Sequence, residues 1–400
     1  KDHELPLDVY SFDASGNLLW ATYYGGASDE ISTDIAITPD NKPIVVGFTW
    51  STDLHILNAF QASNNGPTDA FLAKFNEQGY LERSSYFGSN NFEQAFSIAT
   101  DYAGNIYFGG STQSSNGIAF GSGFKQNTSG GWEGYVVKLD SAWVPQWSSY
   151  YGGAGDDEVY GISIEPDSAF VFITGYTNSS SGLDSNNVIP TAYAGGKDAF
   201  LARLNFNGAL LNSCYFGGAG DDVGNAIDCQ PNFLKIISVV GTTNSSSGIA
   251  NANQVAIGGG TDAFLGDFRY DLTVISCTYH GGLGNETGED VVDNNGGIFI
   301  CGMTNSSSGV SNTNGFQQLY GGYNDGYVAG FMWFGMGNLY SSYYGSGLAD
   351  QLLSIDEYNG GVYVTGESSS YDKMCFDNSY QNTNYNPNGW TTDFAKFTAE

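Results

Sequence analysis

Two kinds of side chain in this sequence have the type and spacing to do chemistry. The first is acidic. A Tyr-aromatic-Gly motif runs into carboxylates, as in Tyr150–Asp157 (YYGGAGDD) and Tyr215–Asp222 (YFGGAGDD), and the related stretches collect Asp29, Glu30, Glu93, Asp156, Asp157, Asp221, Asp222, Glu286, Glu289, Asp290 and Asp350. Carboxylates and carbonyls on glycine-rich loops are what calcium takes, roughly six to eight oxygens per ion. The candidate calcium ligands are Asp29, Asp156, Asp157, Asp221, Asp222, Asp290 and Asp350. The same pattern has a second reading: an Asp after a Gly pair accepts hydrogen bonds from its own loop and fixes the turn.

The second kind is aromatic. Trp50, His55, Trp132, Tyr193, Tyr320, Tyr323, Tyr385 and Trp390 stand in polar, Asn- and Ser-rich segments and depart from the surrounding repeat. An apolar plate beside hydrogen-bonding groups suits a glycan or a protein partner; the alternative is that these rings anchor their own loops. Nucleophilic and metal-hydrolytic signatures are missing. The histidines are His3, His55 and His280, and no GxSxG, HExxH or P-loop occurs. Paired carboxylates for glycoside hydrolysis are available, but nothing marks one pair above the rest. The expectation is a binding or adhesion module without a catalytic centre; the alternatives are a carbohydrate hydrolase or lyase, or a passive structural segment of a large surface protein.

These residues must be positioned by a repeat. The Tyr-aromatic-Gly motif starts at Tyr23, Tyr86, Tyr150, Tyr215, Tyr279 and Tyr343, a period of about 64 residues that spans the chain. Each unit reads as four short apolar strands, here a to d. Strand a includes Ile31–Thr38, Asn225–Cys229 and Asp290–Asp293; strand b is rich in β-branched residues, as in PIVVGFT at 43–49 and IISVVGTT at 236–243. A long polar loop follows, opening as Asn-Ser-Ser-Ser-Gly at Asn178, Asn244 and Asn305; strand c then begins at an acid (Asp69, Asp198, Asp262, Asp325, Asp393), and a tight turn leads to strand d. An acid repeated in nearly every unit points to structure, because a catalytic residue is needed once.

Four antiparallel strands repeated in this way predict an all-β fold, a β-propeller of six blades forming one domain over residues 1–400. Asn17–Gly25 reads as a strand d with no a or b before it, and the last unit lacks its d, so the N-terminal strand is expected to complete the last blade. Asp8–Phe12 is a surplus copy of strand c, which leaves open seven blades or a fragment of a longer array. By strand direction the d-to-a and b-to-c loops share one end of the blades, the end that carries both candidate sets. Long loops on a rigid scaffold are where binding residues collect.

Composition narrows the partners. With 42 acidic and 12 basic residues the net charge is −30, which excludes phosphate-backbone binding to nucleic acid. No apolar run is long enough for a membrane-spanning helix, and residues 1–20 have no signal-peptide core. Cys214 and Cys229 flank the Gly217–Asp222 loop symmetrically, as a disulfide on adjacent strands or as two buried thiols.

The pattern GGKDAFLARL at 195–204 followed by YFGGAGDD at 215–222, repeated with variation along nearly the whole chain, resembles the SBBP β-propeller repeat family. The resemblance implies bacterial secreted or cell-surface proteins, often large and multidomain, many of them from Bacteroidetes and exported by the type IX system. It therefore implies an extracellular or outer-surface location and a place within a larger surface protein or assembly. The family name implies seven blades, where this sequence counts six repeats.

Overall fold

The computed structural model describes all residues except 1–6, 14–16, 166, 168, 184–192, 230–234, 295–296, 336, 359, 370–390 and 399–400. The protein is all-β, and its described residues contain no α-helix. A hairpin of β1 (Leu7–Phe12) and β2 (Leu18–Tyr24) comes first. The first full blade is β3 (Glu30–Ile37), β4 (Pro43–Thr49), β5 (Asp69–Phe75) and β6 (Leu81–Phe87). The second is β7 (Glu93–Thr100), β8 (Ile106–Thr112), β9 (Glu133–Leu139) and β10 (Pro145–Tyr151), and the third is β11 (Asp157–Glu165), β12 (Phe170–Thr177), β13 (Asp198–Asn205) and β14 (Leu210–Phe216). Then follow β15 (Asp222–Asp228), β16 (Ile236–Thr243), β17 (Asp262–Arg269) and β18 (Val274–His280), and β19 (Glu286–Asn294), β20 (Gly297–Thr304), β21 (Asp325–Phe331) and β22 (Asn338–Tyr344). The last sheet is β23 (Asp350–Tyr358), β24 (Gly361–Ser368) and β25 (Thr391–Thr398).

Strands in each sheet are hydrogen-bonded in chain order, and the paired strands are antiparallel. This is the β-propeller blade, and the sheets are consistent with six to seven blades. Two compact units emerge, residues 1–186 with 202–213, and residues 187–201 with 214–400.

One expectation about strand pairing is corrected. β2 pairs with β1, from Leu7↔Tyr24 to Ser11↔Trp20, and the last sheet consists of β23, β24 and β25. The surplus strand Asp8–Phe12 occupies the hydrogen-bonding edge that β2 was expected to offer to the last blade. The disulfide expectation fails for a similar reason. Cys214 lies in β14 and Cys229 just beyond β15, strands of different sheets, and no bridge joins them; Cys214 is a buried thiol pushed up to about 12 by burial.

Strand a begins earlier than its apolar residues suggest, at the acid itself. It also carries a β-bulge at one repeated place, between Ser32 and Asp34, Ala95 and Ser97, Gly224 and Ala226, and Gly288 and Asp290. The extra residue of a bulge is left outside the ladder, and its side chain reaches the following blade. Thr33 donates to the Ala95 carbonyl at 2.8 Å, and Asn225 to that of Gly288 at 2.8 Å.

The residue after the bulge also bonds forward. Asp34 accepts from the Ser97 hydroxyl and the Ile98 amide at 2.9 and 2.8 Å, and Asp290 from Ser354 and Ile355 at 2.8 and 2.9 Å. Apolar packing follows the same step. Ile98 is buried with Ile44, Val46, Ala70 and Leu72 of the preceding blade, and Val291 with Val240, Ala263 and Leu265. Each of the buried Val, Leu and Ile side chains contributes roughly 1.5–3 kcal/mol on burial.

Candidate functional site

The acid that opens strand a is a clamp. Glu93, Asp157, Asp222 and Glu286 are fully buried. Each accepts from the amide four residues earlier: Ser89, Gly153, Gly218 and Gly282, all at 2.7 Å. Each also accepts from a hydroxyl at the end of strand b: Thr112 at 2.7 Å, Thr177, Thr243, and Thr304 at 2.6 Å. Asp157 and Asp222 take a third bond, from Ser179 and Ser245 at 2.8 Å. Asp350 is held the same way by the Ser346 amide at 2.8 Å and the Ser368 hydroxyl.

The carboxylate just before it stitches a different pair of loops. Asp156 accepts from the Trp132 amide at 2.8 Å and Asp221 from the Lys197 amide at 3.0 Å; Asn285 does the same for Thr261 at 3.1 Å. The Asn-Ser tracts complete the weave. Asn244 accepts from the Asp221 amide and Asn305 from the Asn285 amide, both at 2.7 Å, while Ser179, Ser245 and Ser306 accept from Gly155, Gly220 and Gly284. The glycine closing each tract is required. Gly182, Gly248 and Gly309 have φ of 95°, 92° and 92°, and a Cβ there would lie about 3 Å from the Cα of Gly153, Gly218 and Gly282.

The proposed calcium ligands are therefore dispersed into different tasks. Asp157, Asp222 and Asp350 are buried clamps, Asp156 and Asp221 are loop stitches, and Asp290 holds the next blade's strand. Asp29 is exposed, and its backbone carbonyl accepts from the Trp50 amide at 3.1 Å. Glu289 is the unpaired bulge residue. Among the described residues no three His, Cys, Asp or Glu side chains are grouped to hold a metal ion.

The acid that opens strand c is also buried and faces the next blade's clamp. Asp69 accepts from the Asn65 and Gly66 amides at 3.0 and 3.1 Å and from Gln61 at 2.6 Å; Asp262 accepts from Gly258, Gly259 and Gln254 at 2.9, 3.2 and 2.8 Å. A glycine separates the two carboxylates. A Cβ on Gly281 would lie 2.5 Å from Glu286 and 2.6 Å from Asp262; one on Gly217 would lie 2.8 Å from Asp222 and 2.9 Å from Asp198.

Burial, with the neighbouring carboxylate adding to it, pushes Asp69 and Asp325 up to about 6. Asp198 and Asp262 shift in the same direction for the same reasons. The glutamines of this network were not singled out from sequence, although Gln61, Gln254 and Gln317 all stand eight residues before the strand-c acid.

The aromatic candidates divide. Trp132 is half-buried, its amide on Asp156 and its ring 6.4 Å from Phe92. Tyr193 and Tyr320 donate to carbonyls three residues on, at Gly196 and Tyr323, and pack on Tyr215 and Tyr343. These three are loop anchors. Trp50 is 40% exposed and stands edge-on to Phe48 at 5.4 Å. His55 is exposed, its carbonyl accepting from Ser84 at 2.8 Å. Tyr323 is 80% exposed, with Leu319 of the same loop at 81% and Leu283, on the preceding d-to-a loop, at 85%. Tyr385 and Trp390 lie outside the described residues. The structure thus leaves Trp50, His55 and Tyr323 facing solvent and adds Leu283 and Leu319, which composition alone did not distinguish from core leucines.

No family profile matches the chain. It is 25% identical over 348 residues to the regulatory protein FlaEY of Caulobacter vibrioides, covering 82% of this chain and 35% of that protein. Among solved structures it resembles Kuenenia stuttgartiensis hydrazine synthase (TM-score 0.44, 12% identity, 84% of this chain and 75% of that one). It also resembles a Synechocystis apocarotenoid oxygenase (TM-score 0.44, 8% identity, 85% and 70%). Likeness at this level carries no argument about activity.

Proposed function

We propose that this chain is a secreted or surface-displayed propeller that binds a glycan or a protein through the long-loop end of its blades. The observation that carries the reading is the contrast within that end. The acids that open strand a are spent on backbone amides and hydroxyls, whereas Leu283, Leu319 and Tyr323 project almost fully into solvent. Apolar side chains on loops clamped this tightly offer contact area with little ordering cost on binding.

The clamps engage their carboxylates in two or three bonds each, which disfavours those acids as proton donors or acceptors. The resemblance to SBBP repeats supports an extracellular location. The 35% coverage of the longer relative supports a place within a larger protein. The charge of −30 disfavours nucleic acid as the partner.

The test is a glycan-array and surface-protein screen of the purified chain, with calcium and with chelator, repeated with a Leu319→Ser/Tyr323→Ala variant. Binding that this variant loses at unchanged melting temperature is the expected result. Binding unaffected by the variant, or turnover of a carbohydrate in place of binding, would overturn it.

A further inference from the structure

The first blade junction differs from the others in what it leaves uncovered. Ile35 of β3 stands just past the bulge, as Ile98, Ile162, Ile227, Val291 and Ile355 do in the later strands a. Those five are buried, whereas Ile35 is 51% exposed. Ile37, on the same side of β3, is 57% exposed. The first tyrosine of the Tyr-aromatic-Gly motif behaves alike. Tyr86, Tyr150, Tyr279 and Tyr343 are buried, and Tyr23 is 74% exposed.

The later junctions show what covers these positions. Ile98 packs with Ile44 and Val46 of strand b and Ala70 and Leu72 of strand c, and Val291 with Val240 of strand b and Ala263 and Leu265 of strand c. The buried tyrosines donate their hydroxyls to the carbonyls of Ser51, Ser114, Ser245 and Ser306 at 3.1, 2.9, 2.7 and 2.9 Å, each serine two residues past the end of strand b. Strand b and the residues just after it make both contacts. Before β3 stand only β1 and β2, in the register of strands c and d: Val9 opposes Thr22 as Leu72 opposes Ser85. In the full blades strand b lies beside strand c, on the side away from strand d; among the described residues β1 has β2 as its one neighbouring strand. This half-site is firmly held, because Val9 and Tyr24 are buried with Phe71 and Phe75 of the following blade.

We propose that this half-blade is a docking site for an a–b β-hairpin of the same repeat type, carried by a partner polypeptide. The partner's strand b adds to β1 by strand pairing. Two of its apolar side chains, in the places that Ile44 and Val46 take elsewhere, cover Ile35, and the carbonyl of the serine just past the strand takes the Tyr23 hydroxyl. The segment it fits is an apolar strand ending in Gly-x-Thr-x-Ser, as PIVVGFTWS does at 43–51. A second copy of this chain does not supply it, because each strand b of the native fold (β4, β8, β12, β16, β20 and β24) already lies between two neighbours in its own sheet. A strand edge beside exposed isoleucines is a surface that proteins cover or blunt. The site uses neither Leu319 nor Tyr323, so it stands or falls independently of the long-loop reading.

The experiment is fluorescence anisotropy of a dye-labelled synthetic hairpin, residues 30–53 of this sequence, titrated with the full chain at about 0.15 M salt, where exposed charges are largely screened. Saturable binding is expected, at least about tenfold weaker when the peptide carries Val46→Asp. On the chain, Ile35→Asp should lower affinity about tenfold or more and Tyr23→Phe several-fold, both at unchanged melting temperature. Absence of binding, or binding indifferent to Val46→Asp and Ile35→Asp, would overturn the proposal. Sedimentation of the chain alone checks the other occupant. A monomer is expected, and a dimer that Ile35→Asp dissociates would assign the face to a second copy and overturn the proposal as well.

Discussion

Lys125 Nζ lies 2.8 Å from Glu133 Oε2, and the carboxylate is fully buried. The same amine donates to the Gly152 carbonyl at 2.6 Å. At the equivalent places in three other blades the partner of the strand-c acid is a neutral glutamine, Gln61, Gln254 or Gln317. One junction is thus closed by an ion pair where its counterparts use an amide. Burial pushes the Glu133 carboxyl up, and Lys125 pulls it back down.

The exchange of one device for the other is testable. Lys125→Gln recreates the arrangement of the other blades, and unfolding free energy is expected to change by less than about 1 kcal/mol. Lys125→Ala strands a buried carboxylate, for which losses of roughly 3–5 kcal/mol are typical. Urea titrations of both variants check this; equal losses would mean that the glutamine geometry does not transfer to this blade.

The two neighbouring aspartates of the YFGGAGDD motif should respond in opposite ways. Asp222→Asn puts an NH2 donor where a carboxylate oxygen accepts from the donors Gly218, Thr243 and Ser245, each costing roughly 1–3 kcal/mol if left unpaired, so a loss of about 3 kcal/mol is expected. Asp221→Asn should stay within about 0.5 kcal/mol, because Asn285 already does that work in the next blade. Thermal melts of the two variants side by side decide; a mild Asp222→Asn would remove the clamp from the account of stability.

The acid pairs predict an unusual pH dependence. Asp69 and Asp325 are raised to about 6 and Asp293 to about 7, burial being the first cause in each. A raised folded-state value means that the native protein holds protons the unfolded chain releases. Their contribution is fully present below the ordinary carboxylate range and is lost as pH rises through 6 to 7. Asp40 acts oppositely, held at about 2 first by the Thr38 hydroxyl, so its contribution disappears only in strong acid. Melting temperature is expected to rise from pH 7.5 to about pH 5. Asp69→Asn with Asp325→Asn should flatten that slope. A melting temperature highest above pH 7 would contradict it.

Two glycines make a further contrast. A Cβ on Gly281 meets two carboxylates inside 3 Å, while one on Gly347 meets nothing within 4 Å. Gly281→Ala should cost about 3 kcal/mol through forced displacement of the acid pair, and Gly347→Ala should be near neutral. Denaturant midpoints measure both, and a tolerated Gly281→Ala would mean that the junction can open.

The sequence by itself determined the repeat, the four strands of each blade and the end at which long loops gather, because alternation, β-branched content and turn glycines are local properties. It also exposed the recurring acids and offered loop-fixing beside calcium as their duty, although not which donors each would take. Asp156 and Asp157 are adjacent and chemically alike, yet one stitches the Trp132 loop and the other is buried under Thr177 and Ser179. Only tertiary structure makes that distinction, because the donors come from segments about 20 residues away whose distance in space no periodicity reports. The pairing of β2 with β1 is likewise a matter of tertiary structure. The facing of Lys74 and Arg83 across a turn that contains Gly79 (φ 80°) came from strand register. Carboxylates compete for whatever N–H and O–H groups the fold brings within 3 Å, and the fold, not the motif, chooses them.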